Sequence, residues 1–374
     1  MIYLDYAAST PMSDRSLFAY TKAARDFYAN TQSSHDAGTN ASQLLEASRT
    51  SIAKQLNGNP SGVYFTSGGT EANHLALTSL IKRYPTGHLI TGSAEHSSVL
   101  HTFAMLEQEG YRVTYLPYDH EGKIKLERLK EAICDDTILV SLSFANSETG
   151  TTQRIGEIGK ELAKQRILFH SDAVQAFGKI PIDIQELNLS AIAISSHKIH
   201  GPKGVGACYI NPAVAWQPVI PGTVHEKGFR PGTVNVPGIC AFTAAAEETI
   251  ELMEAEKKRT SNLRSYLIKE LTHPNIVIEG QQGLAHIIGL RIQGVEGQHV
   301  MLELNRKGIA VSTGSACSVG QQQPSKTLLA MGRSRDEARE LVRISIGRET
   351  TMQDLQKTVD VFLEILTCDS VRKI

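Results

Sequence analysis

Between about residues 40 and 250, short apolar runs that read as strands alternate with longer runs of helical spacing. Val63-Tyr64-Phe65-Thr66 stops at glycines, and helical spacing follows through Ala72, Leu75, Ala76 and Leu80. His88 to Thr91 reads as a strand before a predicted helix from Ser97 to Glu109. Val113 to Leu116 and Ile138 to Phe144 read as strands, with a helix near Ile155 to Gln165. Ile167 to His170 and Ala191 to Ile194 add two more. This alternation of strands and helices argues for a mostly parallel sheet flanked by helices. The predicted class is therefore α/β, and in such sheets ligands bind beyond the carboxyl ends of the strands.

With 374 residues the chain has room for two domains. Glu247 to Glu270 is charged and helical, without proline or glycine, and could bridge them. A second α/β pattern follows: Ile276 to Glu279, Ile287 to Ile292, a helix from Gln298 to Lys307, and Leu341 to Ile346. The expected division is a large domain over 12–254 and a smaller one built from 1–11 and 255–374. A net charge of −1 argues against a general polyanion binder, and no metal site is expected. The N-terminus lacks the basic region of a signal peptide and no apolar run reaches membrane length, so a cytoplasmic location is expected. Five scattered cysteines without a C-x-x-C pair argue against a zinc ribbon or a disulfide framework. Cys208 reads as a small buried hydrophobe.

Four predicted strand ends carry unusual polar residues. Thr66-Ser67-Gly68-Gly69-Thr70-Glu71 sets two glycines and a hydroxyl at a helix start, which suits a phosphate, although the stretch alone reads more readily as a plain glycine turn before a capped helix. In Ala94-Glu95-His96-Ser97-Ser98 the serines can cap a helix, but His96 could lie flat on an aromatic ring or move protons. Asp172, in Phe169-His170-Ser171-Asp172-Ala173-Val174-Gln175, needs a partner, either an arginine or a protonated pyridine nitrogen. Ser195-Ser196-His197-Lys198-Ile199-His200-Gly201-Pro202 places Lys198 just past a buried strand. Desolvation there lowers an amine's pKa and readies it to form a Schiff base with pyridoxal 5'-phosphate, PLP. Ser195 and His197 could reach the phosphate of such a cofactor. A phosphate cradle, a stacking group, a carboxylate for a ring nitrogen and a lysine thus fall at one sheet edge.

Farther on, Ser312-Thr313-Gly314-Ser315-Ala316-Cys317 continues into Ser318-Val319-Gly320-Gln321-Gln322-Gln323-Pro324. This run is small and polar without apolar periodicity, and reads as an exposed loop, a poor place for a merely structural cysteine.

With these motifs the chain resembles the class V, fold-type I PLP enzymes, and among them the NifS/IscS-type cysteine desulfurases. The resemblance runs from Tyr3-Leu4-Asp5-Tyr6-Ala7-Ala8 to Arg343-Ile344-Ser345-Ile346-Gly347-Arg348. It implies that Lys198 anchors PLP, His96 stacks on the ring and assists proton transfer, Asp172 holds the pyridine nitrogen and Gln175 contacts the ring oxygen. Thr70, Ser195 and His197 would bind phosphate with backbone help around Gly69 and Glu71. Thr233 would reach the phosphate of a partner subunit, which implies a homodimer with shared sites. Arg343, helped by Asn30, would grip the substrate carboxylate, and bidentate geometry suits an arginine to that task. Cys317 would be the nucleophile that takes sulfur from L-cysteine, releases L-alanine and passes the sulfur from its persulfide to an acceptor protein. An iron–sulfur scaffold, a tRNA thiolation protein and a client enzyme are the candidate acceptors.

The chain departs from the family pattern at Ser147, where a second asparagine is usual, so either Asn146 or Ser147 could take that cofactor contact. Pro231, His225, Thr31-Gln32 and Gln323 also depart from it. The alternatives are a selenocysteine lyase or another class V aminotransferase, which need no mobile thiol, and a non-catalytic sulfur carrier, which needs no Lys198, Asp172 and His96 together.

Overall fold

A computed structural model describes residues 1–222, 224–280, 282–314 and 323–367. Among the described residues twelve strands are numbered in chain order: β1 (Ile2–Tyr3), β2 (Val63–Thr66), β3 (His88–Gly92), β4 (Arg112–Leu116), β5 (Thr137–Ser141), β6 (Leu168–Asp172), β7 (Ala191–Ser195), β8 (Gly206–Ile210), β9 (Ile276–Glu279), β10 (Ile287–Ile292), β11 (Ile309–Ala310) and β12 (Leu341–Ser345). Seven of them form one sheet in the order β2-β8-β7-β6-β5-β3-β4. Only β8 runs against its neighbours; the other pairings are parallel. The predicted α/β sheet is present, and its parallel strands all end at one edge.

The apolar runs lack alternation because both faces of the sheet are covered. Ile192 and Ile194 of β7 join a core with Phe169, Phe177 and Phe242. Ala191 and Ala193 of the same strand face a second core with Leu77, Phe103 and Cys208. Cys208 is fully buried, and that burial pushes its thiol upward.

A separate antiparallel sheet, β12-β10-β9, has its own core, which includes Leu4, Leu290, Val342 and Phe362. The N-terminus joins it: β1 pairs with β11, and Asp5 bridges to Ser345. The chain then crosses to the large sheet, where Thr10 N–H donates to His197 O at 3.0 Å.

Two expectations change in detail. The charged segment expected as one helix is two, Val236–Glu251 and Met253–Glu270, meeting at Leu252. The first lies on the helix Asp14–Asp26, where Ser16 Oγ donates to Ala241 O at 3.0 Å and Arg15 pairs with Glu247 and Glu251. The second sends Leu263 and Leu267 into the other core, so the break lets one stretch serve two cores. Strand β5 stops at Ser141 rather than Phe144 because the Ser143 N–H leaves the ladder for the Glu95 carboxylate, 2.9 Å away. No described helix is long and apolar enough to cross a membrane.

Candidate active site

A cavity of about 530 Å³ opens at the carboxyl edge of the large sheet. Gly69 and Thr70 (after β2), His96 (after β3), Asn146 (after β5), Asp172 and Gln175 (β6), and Ser195, His197 and Lys198 (β7) all line it. Arg343 of β12 closes it from the other sheet, and Ala7 and Ala8 from the N-terminal segment.

At one end, the helix Gly69–Ile81 begins without a side-chain cap. Its first N–H groups are therefore available to an anion. The preceding Gly68 has φ +152°, a conformation that glycine adopts most readily. Gly69 brings the helix end close: a Cβ there would sit 2.6 Å from Val174 Cγ2. The Glu71 side chain turns away from the cavity, accepting from Ser67 N–H and pairing with Arg230 at 3.1 Å.

Lys198 ends a single turn of 3-10 helix, and its Nζ donates to Ala7 O at 2.6 Å and Ala8 O at 2.9 Å. Gln175 Nε2 donates to the same Ala7 carbonyl at 3.0 Å. The N-terminal segment thus aims the amine. His197 is held low, at about 4, first by burial and then by the charges of Lys198 and Lys203. A neutral ring there can still donate one hydrogen bond.

Asp172 accepts from Val174 N–H through Oδ1 at 2.9 Å and from Asn73 Nδ2 through Oδ2 at 2.8 Å. Asn146 is heavily used within the protein: Oδ1 accepts from Glu148 and Thr149 N–H, and Nδ2 donates to Thr327 Oγ1 at 3.1 Å. Ser147 also lines the cavity, and its carbonyl accepts from Arg343 Nη1 at 2.9 Å. Arg343 Nη2 pairs with Asp5 at 2.7 Å.

Thr233 and Asn30 are exposed and do not line the cavity of this one chain. Cys317 lies outside the described residues. The described residues flanking its segment do reach the site: Gln323 lines the cavity, and Gly314 stands against Glu148, which lines it too.

Four cavity residues each keep a buried polar atom without a partner among the described residues: Asn73 Oδ1, Glu95 Oε2, Ser195 Oγ and Arg343 Nε. Buried polar atoms are normally paired, so their concentration here marks a place built for a polar ligand. An open helix terminus, a buried carboxylate and an aimed amine fit a ring that carries a phosphate and an aldehyde.

The model of the family described as "Aminotransferase class-V" matches residues 2–358. The chain belongs to that family. It is 48% identical over 370 residues to "Putative cysteine desulfurase NifS" of Bacillus subtilis (strain 168), covering 97% of this chain and 94% of that one. Among solved structures it resembles a "NIFS-LIKE PROTEIN" (TM-score 0.92, 34% identity, 98% and 99% of the two chains). It also resembles "SspA in complex with cysteine" (TM-score 0.83, 34% identity, 92% and 99% of the two chains). These similarities place the chain in the cysteine desulfurase group of the family.

Two site residues were missed from the sequence. Glu95 is buried and pushed up to about 8, chiefly by that burial and also by the Asp172 charge. Its Oε1 accepts from Ser143 N–H at 2.9 Å and Tyr118 OH at 3.0 Å. Asn73 is the amide on Asp172. Glu95 adjoins His96 in sequence, and Asn73 stands one helical turn past Gly69; both could have been found by asking which polar residues follow a strand end into the core.

Proposed function

We propose that the cavity binds PLP and that the enzyme moves the sulfur of L-cysteine to Cys317, releasing L-alanine. The observation that carries this is the convergence of Lys198, Asp172 and the uncapped helix start at Gly69 on one cavity, with both described flanks of the Cys317 segment at its wall. PLP, when bound, supplies an electron sink. Asp172 would hold its ring nitrogen, His96 its face and Gln175 its ring oxygen. Asn146 or Ser147 would give a further contact. Thr70, Ser195, His197 and the backbone of Gly69 and Glu71 would take the phosphate, completed by Thr233 from a second copy in a homodimer.

Arg343, helped by Asn30, would hold the substrate carboxylate. Lys198 would take the Cα proton. The Cys317 thiolate then attacks the substrate sulfur: an S–S bond forms and the C–S bond breaks. The carbon side regains protons and leaves as alanine, and Cys317 keeps a persulfide for delivery to an acceptor protein. A free thiol of this kind belongs in a reducing compartment, which favours the cytoplasm. The chain would divide into a large domain over 12–254 and a smaller one from 1–11 and 255–374, which the separate core beneath β12-β10-β9 supports.

The test is direct. Purified protein should absorb at the visible edge of the ultraviolet and yield alanine and, with a reductant, sulfide in equal amounts from cysteine. A colourless protein that takes up no PLP would refute the proposal.

A further inference from the structure

Four side chains beside the cavity form one continuous run of hydrogen bonds. Asn73 Nδ2 donates to Asp172 Oδ2 at 2.8 Å and to Ser98 Oγ at 3.0 Å. Ser98 Oγ lies 2.8 Å from His96 Nδ1, and the Ser98 backbone N–H donates to the same nitrogen at 3.2 Å. Asn73 and Ser98 are both buried.

The chemistry of each group limits the next. A carboxylate only accepts, so the Asn73 atom beside Asp172 must be its NH2. A flipped amide would set Oδ1 against the carboxylate, acceptor to acceptor. Both Asn73 donors are then committed. Ser98 Oγ accepts one of them and has a single hydrogen left, for which His96 Nδ1 is the acceptor within reach. The backbone N–H of Ser98 can only donate, and it too points at Nδ1. That nitrogen must therefore present its lone pair, and the proton of a neutral ring sits on Nε2.

We propose that Asn73 and Ser98 are positioning residues that hold the His96 proton on Nε2, so that the ring meets the substrate as a hydrogen-bond donor and leaves proton removal to Lys198. The tautomer lock stands on the geometry alone; the role left to Lys198 rests on the proposed desulfurase function. The electrostatics agree with a neutral ring. Burial is the largest influence and lowers the His96 pKa, Lys198 and His101 lower it further, and Asp172 opposes them. Glu95, the preceding residue, is the other ionisable group at this strand end.

The experiment is multiple-bond proton–nitrogen NMR of the holoenzyme labelled with 15N-histidine, with His96 assigned by the signals lost in His96→Gln. A bare Nδ1 and a protonated Nε2 near neutral pH are expected. A proton on Nδ1, or an imidazolium at that pH, would overturn the lock. Ser98→Ala should raise the His96 titration by roughly half a unit to one unit, the worth of one hydrogen bond to the neutral ring, and Ser98→Thr should restore it. An unmoved titration in Ser98→Ala would remove the hydroxyl from the proposal. A protein with the expected tautomer that makes no alanine from cysteine would defeat the desulfurase reading and the Lys198 clause, while the lock stands.

Discussion

The two sheets serve the cavity in opposite ways. The large sheet delivers side chains from five strand ends, β2, β3, β5, β6 and β7, because strands that run the same way all finish on the same edge. The three-stranded antiparallel sheet delivers Arg343 from the middle of β12, where alternate residues face opposite ways and a neighbouring strand, β10, holds the register. A parallel edge can gather many groups around one ligand; an antiparallel sheet can press a single group against them. Under the proposed function the large sheet would hold the cofactor, while Arg343 and Cys317 would handle the substrate and its sulfur.

The sharpest way to separate the two halves is to disable one in each. Lys198→Ala should lower alanine formation by roughly 10²–10⁴-fold and remove the visible-edge absorption that depends on the lysine–cofactor bond. Cys317→Ser should abolish persulfide formation and sulfide release with that absorption intact. Undiminished sulfide production from the serine variant would break the comparison. Next in size is Arg343→Ala, expected to raise KM for cysteine and to lower the melting temperature. Its partner Asp5 keeps its charge but loses the opposite one, at a position that is partly open, so the stability loss should fall below the roughly 3–5 kcal/mol of a fully buried pair.

Glu95 tests the cofactor half from within. Its carboxyl is raised to about 8 in the folded chain, so the folded state holds a proton that the unfolded chain gives up near its ordinary value of about 4.3. Stability should therefore fall as pH rises from there to about 8, by at most about 1.4 kcal/mol per pH unit from this group, and level off above. Glu95→Gln keeps the acceptor for Ser143 and Tyr118 and should flatten that slope in urea unfolding curves taken across the range. A slope unchanged by the substitution would show that Glu95 is ionised in the fold. The smallest effect is expected at exposed Thr233: Thr233→Ala should weaken PLP retention by roughly tenfold or less, one hydrogen bond's worth, without moving the melting temperature. Unchanged PLP affinity would count against a shared site.

Much of this was legible because buried parallel strands write themselves as apolar runs, and a histidine, aspartate or lysine at the end of such a run is conspicuous. The direction of β8 was not, since a buried strand reads the same both ways. The turn at Leu252 has no glycine or proline to announce it; packing against two cores makes it. Ala7 and Ala8 hold Lys198 through backbone carbonyls, which leave no trace in residue identity. Thr233 and Asn30 were named from the resemblance, and a single chain does not bring them to the cavity.

The sequence by itself determined the α/β class, the sheet edge that carries the chemistry and the residue types on it, because hydrophobic runs and their polar ends are local properties. Only the tertiary structure decided which lone pair of His96 is occupied, whether Glu95 holds a proton and what aims Lys198. Those depend on burial and on partners far away in the chain, such as Asp172 for Asn73 and the N-terminal carbonyls for Lys198, and no local stretch encodes them.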